Sequence, residues 1–260
     1  VVAGDARRHG VPVRGPDVNR SEEACILEKG QGREAWGIRL GLGYVSGLGE
    51  VWQERIVERR EREPFRDLAN FCRRTRLPRT LVENLVRAGA MDNGFAERTR
   101  RDLLWALGGL VYQEDGLDID VPLEPVTLPT LGDAERMAWE YELMGMAPGE
   151  QVMNLYREAL RERGVLSTRA LENQQDGDRV RVAGWAVVRQ RPPTAQGHLF
   201  ITLEDEEGLA NLIVRPQVYE QYRAALRNAP LLWVEGRLQR EGEALSVLVY
   251  RAAALGTPGV

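Results

Sequence analysis

The sequence predicts a multi-domain protein of mixed α and β class, an all-helical half followed by a small five-stranded β-barrel, and three observations carry that expectation. Between residues 37 and 110 apolar residues recur at helical spacing, broken by glycine and proline; from Val180 the period drops to two; and 112–133 is an acidic, proline-bearing connector. At 260 residues the chain can build two or three separate cores. A hydrophobic share of 43% with 28% charged residues argues against wholesale disorder. No apolar run approaches the roughly 18 residues of a membrane span.

Taken in order, residues 1–36 alternate short polar and apolar pieces with Pro12 and Pro16, and read as a loop-rich leader. The opening "VVAGDARRHG" has neither an initiating Met nor a signal segment, and suggests a piece of a longer polypeptide. A helix is expected from Glu50, with Val51, Trp52, Ile56 and Val57 on its buried face and Pro64 as its stop. Phe65, Leu68, Ala69, Phe71 and Cys72 mark a second helix; Leu81, Val82, Leu85 and Val86 mark a third, started near Pro78 and ended by Gly89; Leu103, Leu104, Leu107 and Leu110 mark a fourth over about 96–110. Two more helices are expected at about 133–146, with Asp133 as N-cap, and 151–163. The domain boundaries that follow are 1–36, 37–110, 111–178 and 179–260.

Formal charge divides unevenly along the chain: 0 over 1–53, +5 over 54–101, −11 over 102–178 and +2 over 179–260. Basic blocks are where a phosphate backbone is expected to lie. Of 35 cations only Lys29 is lysine, a bias more typical of genome composition than of function. Cys25 and Cys72 lie far apart and His9 and His198 are isolated, so no zinc spacing is present, no cofactor is expected in these residues, and a reduced, cytoplasmic chain follows.

The stretch "LGLGYVSGLGE" at 40–50 places four glycines in eleven positions and allows two parses. As a dinucleotide loop, Gly41, Gly43 and Gly47 need a buried strand ending in an acid about 20 residues on. Glu61 and Glu63 stand there, but "ERREREP" cannot be a buried parallel strand. As a hairpin, Gly47, Leu48 and Gly49 open an amphipathic helix whose first amides point at an anion, the helix-hairpin-helix pattern. A degenerate second copy falls at Ala88, Gly89 and Ala90. Such turns hold nucleic-acid phosphate without reading sequence.

The five strand-like runs after Val180, with a helical stretch between the third and fourth, have the element order of an OB-fold. Alternation in the first strand turns Val180, Val182, Gly184, Ala186 and Val188 inward and Arg181, Trp185, Arg189 and Arg191 outward. Phe200 and Thr202 take the outward parity of the second strand, Trp233 and Arg237 that of the fourth. Cations interleaved with aromatics suit single-stranded nucleic acid, at roughly 1–3 kcal/mol per stacked base.

The segments "IRLGLGYVSGLGEVWQERIVERR", "FRDLANFCRRTRLPRTLVENLVRAGAMD", "LMGMAPGEQVMNLYR" and "VRVAGWAVVRQRPPTAQGHLFITLEDEEGLANLIV" resemble the C-terminal portion of bacterial C-family DNA polymerases, the DNA polymerase III alpha subunit, and most nearly its error-prone branch. The resemblance runs from about residue 9, where 1–36 matches the end of the fingers region, to about 255. It implies a tandem helix-hairpin-helix domain on duplex primer-template and an OB domain near single-stranded template. It assigns duplex phosphate to Gly47, Leu48, Gly49, Ala88, Gly89 and Ala90, and the OB loop role to Arg189, Gln190 and Arg191. It also implies roles in DNA replication, repair and translesion synthesis, with a sliding clamp or other polymerase subunits as further partners. Two departures stand out. Gln151-Val152 occupies a position where the family often has His, so no role is transferred, and the nearest clamp-binding peptide, "QEDGLDI" with Gln113 and Leu117, lacks its apolar pair.

Polymerases of this kind join nucleotides with magnesium held by palm carboxylates, which this sequence does not supply. The expectation is a DNA-binding part, inactive alone, of a DNA-directed DNA polymerase whose active site holds Mg. Two other readings are a protein-docking scaffold using acidic 102–178 and an accessory region of a repair helicase or ligase.

Overall fold

The computed structural model describes residues 2–30, 36–93, 95, 99–110, 128–242 and 244–256. The chain forms two compact units: residues 11–149, and residues 1–10 together with 150–260. The expected cuts at 36 and 110 are therefore replaced. The leader divides between both units, and residues 150–178 go with the barrel. Of the leader, only the helix α1 (Val2–Arg8) and its turn go with the barrel, where Arg8 pairs with Glu204 at 3.2 Å.

The helical unit begins with three short strands, the first two of which the sequence reading missed. β1 (Val13–Arg14) runs parallel to β3 (Trp36–Arg39), and β2 (Ile26–Lys29) pairs antiparallel with β3 on its other side. A two-residue strand shows no alternation, and β2 buries neither face fully, so no periodic signal exists to read. After a 3-10 turn at Leu42–Tyr44 come α2 (Glu50–Arg62), α3 (Leu68–Thr75), α4 (Arg79–Arg87), α5 (Arg100–Gly109) and α6 (Asp133–Met144). Their ends follow sequence chemistry. Asp67 caps α3 by accepting from Asn70 N at 2.7 Å, Thr99 and Asp102 form a capping box on α5, and Gly145, at φ +70°, closes α6. The N-cap of α6 is Gly132, one residue before the expected Asp133.

Ile56, Phe71, Leu85, Val86, Leu103, Leu107 and Met137 fill the core of this unit, with Phe65 and Phe71 edge to face at 4.9 Å. Val51, expected on the buried stripe of α2, is 65% exposed instead. Gln53 is buried in its place, because its side-chain amide donates to Leu48 O and ties the helix to the preceding turn.

In the other unit, a 3-10 turn at Val152–Leu155, α7 (Arg157–Glu162) and another 3-10 turn at Arg169–Asn173 lead into the barrel. Gln151 caps the first turn by accepting from Met153 N, and donates to Glu204 O at 3.3 Å. The strands are β4 (Arg179–Gln190), β5 (Leu199–Glu204), β6 (Leu209–Val214), β7 (Leu231–Glu241) and β8 (Ala244–Ala254), with α8 (Pro216–Gln221) and α9 (Arg223–Asn228) between the third and fourth. The sheet closes in the order β4-β5-β6-β8-β7, with β6 and β8 parallel and every other pair antiparallel. Val180, Val182, Ile201, Leu203, Leu212, Val214, Val234 and Val247 fill it, and Leu226 of α9 closes one end. Every strand of the closed barrel has a partner on both sides, although β6 and β8 pair over only three residues each. This is the OB arrangement: five strands, one inserted helical segment, and a parallel closing pair.

Candidate nucleic-acid interface

The glycines of 41–49 divide by function. Gly41 and Gly43 serve packing: a Cβ on Gly41 would collide with Glu23 O and the backbone of Ala24, and the amides of Leu42 and Gly43 donate to Glu22 O (2.8 Å) and Glu23 O (3.0 Å). The acid required by the dinucleotide parse falls at or just past the end of α2, so that parse has no strand.

Gly47 and Gly49 form the exposed turn. Gly47 sits at φ +81°, a conformation that other residues adopt only under strain. Leu48 between them is 4% exposed and anchors the turn, while Asn84 of α4 donates to Ser46 O at 3.1 Å. Gly49 is the N-cap of α2 and has no side chain to cover the helix end. The amides of Gly47, Glu50 and Val51 have no acceptor among the described residues. A Cβ on Gly49 would meet nothing within 4 Å. Open space, unspent amides and the positive end of a 13-residue helix are the features that favour an anion at a helix N-terminus.

The second turn is built oppositely. Ala88 and Ala90 are 2% and 1% exposed and Gly89 is buried. All three amides are spent, on Asn84 O (2.9 Å), Val86 O (3.0 Å) and Leu85 O (2.9 Å). Gly89, at φ +80°, ends α4 in a left-handed cap. Above it lies Arg100, which donates to Asp92 (2.7 Å), Glu140 (2.7 Å) and Arg87 O (2.9 Å). Burial alone would lower the Arg100 pKa, but its bonds to Asp92 and Glu140 outweigh that and raise it. The expectation that Ala88, Gly89 and Ala90 meet duplex phosphate is corrected, because a capped helix end under a buried ion cluster offers no amide.

On the barrel, a β-bulge between Ala186 and Val188 overturns part of the alternation argument. One extra residue inverts the parity of everything after it. Arg189 falls opposite buried Ile201 and turns inward, donating to Leu226 O (2.9 Å), Ala186 O (3.2 Å) and Ala229 O; burial lowers its pKa. It closes the end of the barrel and is removed from the strand-binding set. Val188 turns outward beside Thr202, and exposed Gln190 lies opposite Phe200.

The remaining residues separate into two areas. Arg181, Trp185, Trp233 and Arg237 lie on β4 and β7. There outward-facing Ala183 is 1% exposed and Glu204 6%, because Arg8, Gln151 and Leu166 pack against that side; Trp185 and Trp233 are half-buried, while Arg181 and Arg237 are exposed. Phe200, 37% exposed, lies opposite Ile213, with Thr202 opposite Asn211 one pair along and Leu209, 46% exposed, at the strand start. Asn211, Ile213 and Leu209 were missed by sequence reading, although the alternation of "LANLIV" holds the signal. Arg191, in the loop after β4, is exposed but braced, donating to Gly197 O at 3.1 Å with its guanidinium 4.4 Å over Tyr219. Gln113 and Leu117 lie outside the described residues.

Comparison with known proteins agrees with this architecture. Residues 10–103 match the helix-hairpin-helix motif family and residues 180–253 the OB-fold nucleic acid binding domain. The error-prone DNA polymerase of Anaeromyxobacter sp. (strain K) is 39% identical over 96% of this chain, which covers 23% of that protein. That of Azoarcus sp. (strain BH72) is 39% identical over 96% of the chain and 24% of the relative. Error-prone DNA polymerase 2 of Rhizobium meliloti (strain 1021) is 33% identical over 95% and 24%. Among solved structures, asparaginyl-tRNA synthetase from Pyrococcus horikoshii covers 36% of the chain and 23% of its own at 21% identity and a TM-score of 0.31, too little to bear on function. Over nearly all its length the chain is thus similar to error-prone DNA polymerases, of whose length it spans about a quarter, and it joins a helix-hairpin-helix region to an OB-fold domain.

Proposed function

We propose that these residues are the DNA-holding part of an error-prone bacterial DNA polymerase, with the Gly47–Gly49 turn on a duplex phosphate of the primer-template and the β5–β6 face of the barrel near single-stranded template. The observation that carries this reading is the first turn: exposed glycines, a buried Leu48 anchor, and three amides without acceptors at a helix N-terminus. Phe200 and Ile213, flanked by Gln190, Thr202 and Asn211, give the barrel a stacking surface with polar neighbours.

Nucleotidyl transfer belongs to the parent polymerase, in replication, repair and translesion synthesis in the cytoplasm. The magnesium of that reaction belongs, in this reading, to palm carboxylates of the parent polymerase. The docking-scaffold reading loses support because acids of α6 are engaged internally: Glu135 with Arg101, Glu140 with Arg100, Glu142 with Arg87.

The test is a salt titration of binding by the 260-residue chain to duplex, primer-template and single-stranded oligonucleotides. Contact with several phosphates makes log K fall steeply with log[salt], by about 0.9 per phosphate on duplex. A flat salt response, or a marked base-sequence preference, would refute the reading.

A further inference from the structure

The helical unit contains a second basic concavity that the hairpin reading does not use. A cleft of about 610 Å³ opens beside the β1–β3–β2 sheet, lined by Arg14, Arg20, Glu28, Lys29 and Arg39 with glycine main chain at Gly15 and Gly149. Strand register creates it. Ile26 pairs with Arg39 and Glu28 with Gly37, so Glu28 and Arg39 share one face. Arg39, 3% exposed, donates to Glu28 at 2.6 and 2.9 Å and to Gly15 O at 2.8 Å. Gly37 leaves room for Arg14 to cross the sheet, since a Cβ there would lie 2.8 Å from Arg14 Nη1. Arg14 then reaches Glu28 at 3.9 Å, and Arg20 reaches it at 3.4 Å.

One carboxylate thus faces three guanidinium groups. A further acid, Asp17, is buried and only 4.0 Å from Arg20. Lys29, the single lysine among 35 cations, is exposed at the rim and makes no hydrogen bond or ion pair among the described residues. Counting both acids, the cleft keeps an excess of two positive charges. Guanidinium forks and an unengaged ammonium around glycine backbone match the oxygens of consecutive phosphates.

The geometry points to a phosphate-binding cleft at Arg14, Arg20 and Lys29, taking a run of phosphate oxygens, whether a free polyphosphate such as a nucleotide tail or a nucleic-acid backbone. The inference stands apart from the hairpin reading, since no residue is shared. Its test measures binding of inorganic tripolyphosphate, a nucleoside triphosphate and a short duplex to the full chain, to an Arg20→Ala/Lys29→Ala variant and to a Gly49→Asp variant, with thermal melts as a folding control. A charge-preserving Arg20→Lys/Lys29→Arg variant controls for shape. The alanine pair is expected to weaken the bound phosphate ligand by about tenfold per removed charge, while the charge-preserving pair retains binding. Loss of tripolyphosphate and triphosphate binding assigns the cleft to free polyphosphate; loss of duplex binding alone assigns it to a strand. If the alanine pair, folded, binds all three ligands as the parent chain does, or if none of the three binds, the cleft inference is overturned. Gly49→Asp lowers only duplex binding if the hairpin reading holds, so the two readings fail separately.

Discussion

Two turns of similar sequence, Gly47-Leu48-Gly49 and Ala88-Gly89-Ala90, end in opposite states. The first precedes a helix and leaves amides unspent; the second follows a helix and consumes its amides on that helix's last carbonyls. Over Gly49 of the first lies open space, over Gly89 of the second the guanidinium of Arg100. A glycine at positive φ is common to both and so does not mark a phosphate site. What distinguishes them is which helix end the turn serves and whether a side chain from elsewhere covers it.

The comparison can be broken most severely at Arg100. Arg100→Ala leaves buried Glu140 with only the longer 3.5 Å contact of Arg136 and should destabilise the helical unit by about 3 kcal/mol, read as the denaturant midpoint. DNA affinity of the remaining folded protein should not change; if it falls with stability preserved, the second turn binds DNA after all. Next is Gly89→Ala, which forces a side chain to φ +80° against Arg100 and should cost about 1–3 kcal/mol without a change in the salt slope of DNA binding.

Gly49→Asp sharpens the contrast because it moves stability and binding in opposite directions. Aspartate is a better N-cap than glycine and complements the helix dipole, so stability should rise by a few tenths of a kcal/mol. The same carboxylate occupies and repels the phosphate position, so duplex affinity should drop by about tenfold in a filter-binding or anisotropy assay. Equal affinity for parent and variant would remove the first turn from the interface.

On the barrel, Arg189→Ala should lower stability by about 1–2 kcal/mol with no effect on salt slope, since its bonds go to carbonyls of its own unit. Arg191→Ala should leave stability nearly unchanged and reduce the slope by about one. The smallest effect concerns pH. Burial raises the Glu28 carboxyl, but the Arg39 hydrogen bond and the charges of Arg39, Arg20 and Arg14 outweigh it and hold its pKa below the usual value. A depressed folded pKa adds stability above the unfolded value, near ~4.3, and that stability is lost as pH falls through the folded pKa. The difference in urea midpoint between the parent chain and Glu28→Gln should therefore shrink on acidification below about pH 4.

Local chemistry determined much of this protein. Pro64, Pro78 and Gly145 marked helix ends because backbone dihedrals and missing donors act within one turn. Alternation from Val180 onward gave the barrel because each strand must bury one face. Tertiary structure decided the rest. The bulge at Val187 depends on how β4 fits its partners, and its one-residue shift moved Arg189 from the outer surface to the barrel end. The Ala88–Ala90 turn is sealed because Arg100 and Glu140, distant in sequence, meet over it, and β1 exists only because β3 arrives beside it. Periodicity reports what a residue does within its own element; whether an amide or a cation stays open to a ligand depends on what the rest of the chain places on top of it.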